Sequence, residues 1–186
     1  MTQQFDFTDT PLEGLKIVQR RTVDDSRGFL SRVYCAKEFA VHGFNKSVSQ
    51  INQTLTYQKG TVRGLHYQLA PYSQTKLVRV IEGRVLDIAV DIRDGSPTFG
   101  KHISVELTGE NKKQLLIPRG FAHGYVVLSE TAVFAYKVDN YYNQESDSGI
   151  AFDDSELNID WKLPKENLKL SEKDTKQPSL LKRRIF

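Results

Sequence analysis

Short segments of alternating or β-branched residues recur along the whole chain, and glycine, proline, asparagine or aspartate separates one from the next. Segment 84–92, for example, follows the turn at Glu82-Gly83 and ends before Arg93-Asp-Gly-Ser-Pro97. Many short strands with turn signals between them are typical of all-β sandwiches and barrels. A few short helical segments are expected, at 36–42, ended by Gly43, and as a turn at 154–157. Strands are predicted at residues 15–19, 28–34, 48–55, 60–67, 77–81, 84–92, 102–107, 114–117, 123–128 and 132–138.

Composition narrows the class of protein. The chain has 186 residues, which suits one domain over residues 1–186 with a sizeable core. Its net charge is only +3, and the basic tail at 181–184 is typical of a solvated end, so no nucleic-acid partner is predicted. A single cysteine, Cys35, excludes an internal disulfide. Without a signal-peptide pattern or an apolar run of membrane-spanning length, we expect a cytoplasmic protein with no membrane partner.

Two spaced motifs specify the kind of β fold. Gly60, which precedes His66 by five intervening residues, and Pro118-Arg-Gly-Phe-Ala-His123 resemble the two cupin motifs, G-x5-H-x-H…E-x6-G and P-x-G-x2-H. In this chain Gln68 stands at the second histidine position and Lys76 at the glutamate position. A divalent metal held by imidazoles and a carboxylate would not tolerate an ammonium among its ligands. The resemblance implies a cupin double-stranded β-helix, or jelly roll, that keeps its pocket and lacks the metal.

The same motifs supply candidates for acid–base chemistry. His66 and His123 fall where cupins point imidazoles into the barrel, and histidine is the natural general base near neutral pH. Lys76 would face that cavity and meet a phosphate or a developing oxyanion, unless it reaches solvent at the mouth. Arg63 is either a phosphate-binding guanidinium or a surface residue. Tyr136 is either a core tyrosine with a bonded hydroxyl or a proton donor opposite His66.

Taken together, the motifs resemble those of the dTDP-4-dehydrorhamnose 3,5-epimerases. The resemblance extends from about Gly14 to about Asp174, and the motifs keep their order along the chain. They are Arg63-Gly-Leu-His-Tyr-Gln68, Lys76-Leu-Val-Arg-Val80, Asp91-Ile-Arg-Asp-Gly-Ser-Pro-Thr-Phe-Gly100, Ile117-Pro-Arg-Gly-Phe-Ala-His-Gly124, Leu128-Ser-Glu-Thr131, Tyr136-Lys137, Asp153-Asp154 with Ile159-Asp-Trp161, and Leu170-Ser-Glu-Lys-Asp174.

This resemblance implies a metal-free jelly roll that needs no cofactor and works as a homodimer, with N-terminal strands exchanged between subunits. It implies a nucleotide-diphosphate 4-keto-6-deoxyhexose substrate, and inversion of C3 and C5 in dTDP-4-dehydro-6-deoxy-D-glucose. The catalytic residues it implies are the base His66, its partner Asp174, Lys76 near the keto oxygen, and Tyr136 on the opposite face. The nucleotide- and phosphate-binding positions it implies are Arg27, Gln50, Asn52, Arg63, His123 and Tyr142.

The chain departs from the family pattern at two places on the nucleotide side. Arg32 stands where the family commonly has glutamate, and the stretch 50–60 is one residue longer than expected. A CDP- or GDP-linked sugar could therefore replace the dTDP-linked one. The sequence also leaves open an epimerase of C3 or C5 alone, a 3,4-ketoisomerase, a sugar-nucleotide-binding cupin without activity, and a metal-dependent cupin dioxygenase. Tyr136 argues against the ketoisomerase, the complete catalytic set against the inactive cupin, and Gln68 with Lys76 against the dioxygenase.

Overall fold

The structure is a computed structural model that describes residues 3–184. Within that range most of the ordered backbone is β-strand, as the spacing of the turn signals predicted. The strands are β1 Phe5–Asp9, β2 Lys16–Arg20, β3 Val23–Asp25, β4 Gly28–Leu30, β5 Gln50–Thr56, β6 Val62–Gln68, β7 Lys76–Glu82, β8 Arg84–Asp91, β9 His102–Thr108, β10 Lys113–Ile117, β11 Phe121–Val127, β12 Ala132–Val138 and β13 Asp147–Gly149. The helices are α1 Ala36–Ala40 and the 3-10 turns Lys165–Asn167, Asp174–Lys176 and Leu180–Lys182.

The strands form two antiparallel sheets and a separate hairpin. One sheet has six strands in the order β1-β2-β10-β7-β12-β5, and the other has five in the order β13-β6-β11-β8-β9. The hairpin is β3–β4. Strands that are adjacent in a sheet are mostly distant in sequence, which is the pairing expected of a jelly roll rather than a meander. The predicted all-β jelly-roll class is confirmed.

Strand β8 shows how the sequence builds apolar layers on both sides of a sheet. Its side chains alternate between the two faces of the five-stranded sheet, because successive residues of a strand point in opposite directions. Val85 and Ala89 join the layer between the two sheets. Leu86, Ile88 and Val90 join the layer on the outer side. A strand that is buried on both faces has few polar residues, and the central part of this one reads Val-Leu-Asp-Ile-Ala-Val.

Different segments cover the outer faces of the two sheets. The C-terminal third folds over the five-stranded sheet and buries Ile150, Leu157, Trp161 and Leu180 against it. Part of the six-stranded sheet is covered by the α1 region, whose Phe39 and neighbouring Phe44 pack on β1, β2, β7 and β10. None of the helices between residues 3 and 184 has the length and apolar character that a membrane crossing requires.

The structure corrects three details of the sequence prediction. Helix α1 ends at Ala40 rather than at residue 42, and residues 41–43 form a turn. The strand predicted at 28–34 stops at Leu30, because it pairs only with the short β3. Strands β1, β3 and β13 were not predicted, since three to five residues are too few to show a period. The predicted turn at 154–157 is present, and the Asp154 carboxylate accepts hydrogen bonds from the backbone N–H groups of Glu156 and Leu157.

Candidate active site

A cavity of about 580 Å³ opens between the two sheets, and strands from both sheets reach it. The C-terminal segment 169–174 forms one of its walls. Seven of the ten residues predicted from the sequence line it, namely Arg63, His66, Lys76, His123, Tyr136, Tyr142 and Asp174. These residues come from four strands, from the loop after β12 and from the turn at Asp174–Lys176, so only the fold brings them together.

The close approach of the paired strands β6 and β11 sets the positions of the two histidines. His66 and His123 lie directly opposite each other in this ladder, so their side chains share one face. Beside them, Gly64 has a φ of +135°, and a Cβ added there would lie 2.5 Å from the Cα of Gly124. The register also shifts after His123. The glycines in both motifs are therefore needed for the close approach of the two strands. This approach directs both imidazoles into the cavity.

His66 is held by a carboxylate that is 108 positions away in the sequence. Its Nε2 lies 2.6 Å from Oδ1 of Asp174, which opens the turn Asp174–Lys176 and is only 4% exposed. Burial raises the pKa of Asp174, but the hydrogen bond and charge of His66, together with hydrogen bonds from Ser171 and the Gly64 backbone, leave that pKa below its usual value. An ionised carboxylate on the imidazole orients the ring and stabilises the imidazolium, which suits His66 to general-base chemistry.

Lys76 is a half-buried cation that lines the cavity. Burial lowers the pKa of its ammonium to about 8, although the nearby Asp147 and Asp87 partly oppose that shift. Its Nζ donates to the backbone carbonyl of His66 at 3.4 Å, a long contact that leaves most of its donor capacity free. A desolvated ammonium with free donors suits an oxyanion that develops on a bound ligand.

Tyr136 faces the cavity from β12 and does not behave as a bonded core tyrosine. Its hydroxyl makes no hydrogen bond within residues 3–184, whereas the neighbouring Tyr125 hydroxyl lies 2.9 Å from Oγ1 of Thr54. Burial raises the pKa of Tyr136, and the positive charge of Arg63 partly opposes this. The phenol is therefore protonated at neutral pH and free to donate a proton to a ligand.

A second histidine–carboxylate pair lies deeper. His123 Nε2 is 3.0 Å from Oδ2 of Asp87, a fully buried residue of β8. Burial raises the pKa of Asp87, and His123 and Lys76 act in the opposite direction. Sequence reasoning missed Asp87, although one signal was available. It is a carboxylate in the middle of a strand, between Val85 and Ala89 on the same inward face.

Asp147 organises the mouth of the cavity and was also missed. Its Oδ2 accepts a hydrogen bond from the Tyr142 hydroxyl at 3.1 Å and pairs with the ammonium of Lys173. Arg63, whose Nε contacts Thr56 Oγ1 at 3.4 Å, and Lys169 also line the cavity. Cations thus outnumber carboxylates around the opening, which favours an anionic ligand.

Gln68, at the second histidine position of the cupin motif, supports a loop. Its Nε2 donates to the carbonyls of Tyr72 and Tyr141, and its Oε1 accepts from the backbone N–H of Asn143 at 2.7 Å. Both of its polar atoms are therefore used away from any ligand. Within residues 3–184, no three His, Cys, Asp or Glu side chains are grouped so that they could hold a metal ion.

Three of the predicted binding residues do not line the cavity. Gln50 accepts a hydrogen bond from the backbone N–H of Tyr142 at 2.8 Å, so it supports the mouth from behind. Asn52 pairs with Tyr136 across the β5–β12 ladder and shares its face, at the open edge of the sheet. Arg27 lies apart, exposed at the tip of the β3–β4 hairpin, where it pairs with Asp25.

Comparison with known proteins places the chain in a family. The family model described as dTDP-4-dehydrorhamnose 3,5-epimerase matches residues 9–182. The chain belongs to this family. The relative from Sinorhizobium fredii with that name is 45% identical over 175 residues, which cover 94% of this chain and 89% of the relative.

Two solved structures of similar proteins extend the comparison. The epimerase from Legionella pneumophila in complex with dTDP-4-keto-L-rhamnose has a TM-score of 0.91 and 44% identity, and the match covers 96% of this chain and 94% of that one. A 3′-monoepimerase from Streptomyces bikiniensis in complex with dTDP-quinovose has a TM-score of 0.84 and 26% identity, with coverage of 92% and 86%.

Proposed function

We propose that this epimerase inverts C3 and C5 of dTDP-4-dehydro-6-deoxy-D-glucose and so yields dTDP-4-dehydro-L-rhamnose. The observation that carries the proposal is the His66–Asp174 pair, which faces a cavity shared with Lys76 and the unbonded hydroxyl of Tyr136. Family membership supports it, as does the 45% identity to a named 3,5-epimerase against 26% to a 3′-monoepimerase.

The reaction needs a base, a cation and an acid, and the site offers one of each. C3 and C5 both adjoin the C4 ketone, so the carbanion formed at either carbon delocalises onto the ketone oxygen as an enolate. In our proposal His66 removes the proton and Asp174 stabilises the resulting imidazolium. Lys76 stabilises the enolate oxygen, and Tyr136 returns a proton on the opposite face, which inverts the centre. The substrate and product have the same oxidation state.

Charged groups around the mouth support a diphosphate subsite. We propose that Arg63 at the mouth and His123 deeper in the cavity contact the phosphates, with Lys169 and Lys173 close by, and that Tyr142 packs near the base. Gln50 and Asn52 complete the nucleotide side. This arrangement separates binding from chemistry, because the groups that hold the nucleotide are not those that move protons.

We further propose that the protein is a cytoplasmic homodimer in which Arg27 serves the site of the partner subunit. Arg27 lies outside its own cavity, on a hairpin that exposes Val23, Phe29 and Leu30 at 67%, 54% and 77%. Exposed apolar side chains on a projecting hairpin favour a protein contact. Arg27 would then supply a positive charge for phosphate binding at the partner's cavity, because it lies outside the cavity of its own chain.

Proton NMR in deuterated water tests the proposed reaction directly. After incubation with dTDP-4-dehydro-6-deoxy-D-glucose, we expect deuterium at both C3 and C5 of the sugar. Deuterium at one carbon would identify a monoepimerase instead. If no exchange occurs with the dTDP sugar, the CDP and GDP sugars should be tried under the same conditions, and failure with all three would refute an epimerase activity.

A further inference from the structure

The ammonium of Lys76 is placed by its backbone more than by its own contacts. Its Nζ makes a single hydrogen bond within residues 3–184, at 3.4 Å to the carbonyl of His66, which is too long to hold a flexible side chain firmly. Lys76 is the first residue of β7, where it pairs with Ile117 of β10 on one side and Val138 of β12 on the other. Where its ammonium lies in the cavity therefore depends on how the chain enters β7.

A buried ion pair lies beside that entry point. Arg119 follows Ile117 by two residues and Asp139 follows Val138 by one, so both lie just beyond the strand partners of Lys76. Nη2 of Arg119 is 2.8 Å from Oδ1 of Asp139, and the side chains of the two residues are 26% and 0% exposed. Because removing one partner of such a pair leaves a desolvated charge behind, the fold strongly favours keeping the two together.

The pair holds Thr75, the residue immediately before Lys76, from both sides. The backbone N–H of Thr75 donates to Oδ1 of Asp139 at 2.8 Å, and its Oγ1 accepts from Nη1 of Arg119 at 2.8 Å. Arg119 also donates through Nε to the carbonyl of Ser73 at 3.1 Å. Thr75 is only 2% exposed, so water does not readily replace these bonds. Thr75 is therefore fixed through its main chain and its side chain, and the position of Lys76 is fixed with it.

We propose that Arg119 and Asp139 are positioning residues, which hold the ammonium of Lys76 in the active-site cavity by fixing Thr75. Neither residue lines the cavity, so both act through the backbone and not by touching a ligand. The inference rests on the proposed role of Lys76 in stabilising the enolate oxygen. A displacement of about 1 Å can slow an enzyme about 100-fold, so the rate should depend on how precisely this cation is held.

Direct titration of Lys76 tests the positioning. With lysine labelled by ¹³C at Cε, NMR follows each ammonium separately, and Lys76→Arg identifies the signal of Lys76. We expect a midpoint near 8 in the wild type, because burial lowers this pKa. Arg119→Gln and Asp139→Asn should each move the midpoint to about 9 or above, since an ammonium that is no longer held in the cavity is better hydrated.

The two substitutions separate position from charge. Arg119→Gln removes a positive charge and Asp139→Asn removes a negative one, so a direct electrostatic effect would move the Lys76 midpoint up in the first variant and down in the second. Opposite shifts, or an unchanged midpoint in both variants, would overturn the proposal. Each element around Lys76 contributes an ionisable group that stays the same in both variants, namely Asp87, Asp147, His66, His123, Tyr136 and Asp174.

Steady-state kinetics measure the consequence for the reaction. Both variants should lower kcat by about 10- to 100-fold and change KM by less than about twofold, because they displace the cation and leave the nucleotide side intact. The alkaline limb of kcat/KM should move to higher pH together with the Lys76 midpoint. Thr75→Val removes only the contact with Arg119, so it should shift the midpoint in the same direction by less. It decides the question if the two charge variants do not fold.

Arg93→Gln is the matched control. It breaks the ion pair of Arg93 with Asp91 at the end of β8, whose side chains are 28% and 0% exposed. It should lose a comparable free energy of unfolding but keep the kcat and the Lys76 midpoint of the wild type. An equal loss of kcat in this control would show that destabilisation alone slows the enzyme, and would overturn the positioning role. The NMR titration needs no turnover, so it still tests the position of Lys76 if the wild type proves inactive on the dTDP sugar.

Discussion

At the scale of single residues, function depends on which polar groups are bonded and which are left free. His66 is bonded on one nitrogen by a buried carboxylate, whereas the Tyr136 hydroxyl and most donors of Lys76 face the cavity without a partner among residues 3–184. Buried polar groups are usually satisfied, and exceptions cluster where a ligand completes them. The three side chains therefore differ from Gln68, whose polar atoms both support a loop.

Removing the base should stop exchange at both carbons. His66→Ala is expected to slow deuterium incorporation at C3 and C5 by at least about 100-fold, because general-base catalysis contributes that much or more. Proton NMR in deuterated water measures both rates in one sample. His102→Ala, which alters a histidine on β9 outside the cavity, is the control and should retain the normal rate. Exchange that survives at either carbon in His66→Ala would require a second base.

Tyr136→Phe should separate proton removal from inversion. The substrate should still exchange its protons, since His66 is intact, but product should form more slowly because the second face has lost its donor. The ratio of deuterium incorporation to product formed measures this, and it should rise. Tyr125→Phe removes a hydroxyl that is already bonded to Thr54 and should leave the ratio unchanged. Equal loss of exchange and product in Tyr136→Phe would indicate a structural role.

The protonation of Lys76 should limit activity at alkaline pH. Burial lowers its pKa from the usual 10.5 to about 8, so the stabilising charge is present below that pH and disappears above it. We expect kcat/KM to fall as the pH rises through about 8. A Lys76→Arg variant keeps its charge over this range and should lack the descending limb, even if its activity is lower. A wild-type profile that stays flat up to a pH of about 10 would mean that the charge of Lys76 is not required.

At the scale of elements, the close pairing of β6 and β11 decides where the histidines point. The two strands approach so closely at Gly64 and Gly124 that neither position has room for a side chain. The β6 motif and the β11 motif thus depend on each other, because each supplies the glycine that the other strand requires.

Gly64→Ala should destabilise the fold by roughly 2 kcal/mol or more, because its Cβ would overlap the Gly124 backbone and the residue already has a positive φ. Chemical denaturation measures the difference. Gly43→Ala is the matched control, since Gly43 also has a positive φ but has no atom within 4 Å of the added Cβ. Similar losses of unfolding free energy in the two variants would show that backbone strain, rather than the close approach of the strands, dominates.

At the scale of the whole molecule, the proposed homodimer would bring Arg27 to the cavity of the partner subunit. Seven predicted residues line the cavity, but Arg27 lies on a hairpin whose apolar side chains are exposed. A homodimer that places this hairpin against the partner's cavity would account for both observations.

Complementation between two impaired variants tests that assembly. Arg27→Ala should lower kcat/KM by about 10- to 100-fold, as expected for a lost charged hydrogen bond. Co-expressed with His66→Ala, it should regain up to about a quarter of wild-type activity, because half of the dimers are mixed and each has one intact site. No gain on mixing would place Arg27 in the site of its own chain or outside any site.

The sequence by itself determined the β architecture, the positions of the longer strands and the chemical types in the site. Periodicity and turn residues are local, so β6, β7, β8, β11 and β12 were predictable to within about two residues. Motif spacing identified His66 and Lys76, because each lies at a fixed offset from a glycine of the cupin pattern. Very short strands such as β13 carry too few residues for a period, and they were found only in the structure.

Only the tertiary structure decided which groups meet. Asp147 lies on β13, far along the chain from Lys76, and Asp87 lies on β8, which belongs to the other sheet, so nothing local marks either as a neighbour of Lys76. The lack of a hydrogen-bond partner for the Tyr136 hydroxyl within residues 3–184 is likewise a property of its packed environment. Burial and pairing depend on every surrounding element at once, whereas a strand period depends on its own residues. The sequence therefore determined where the longer strands lie, and the fold decided what each side chain faces.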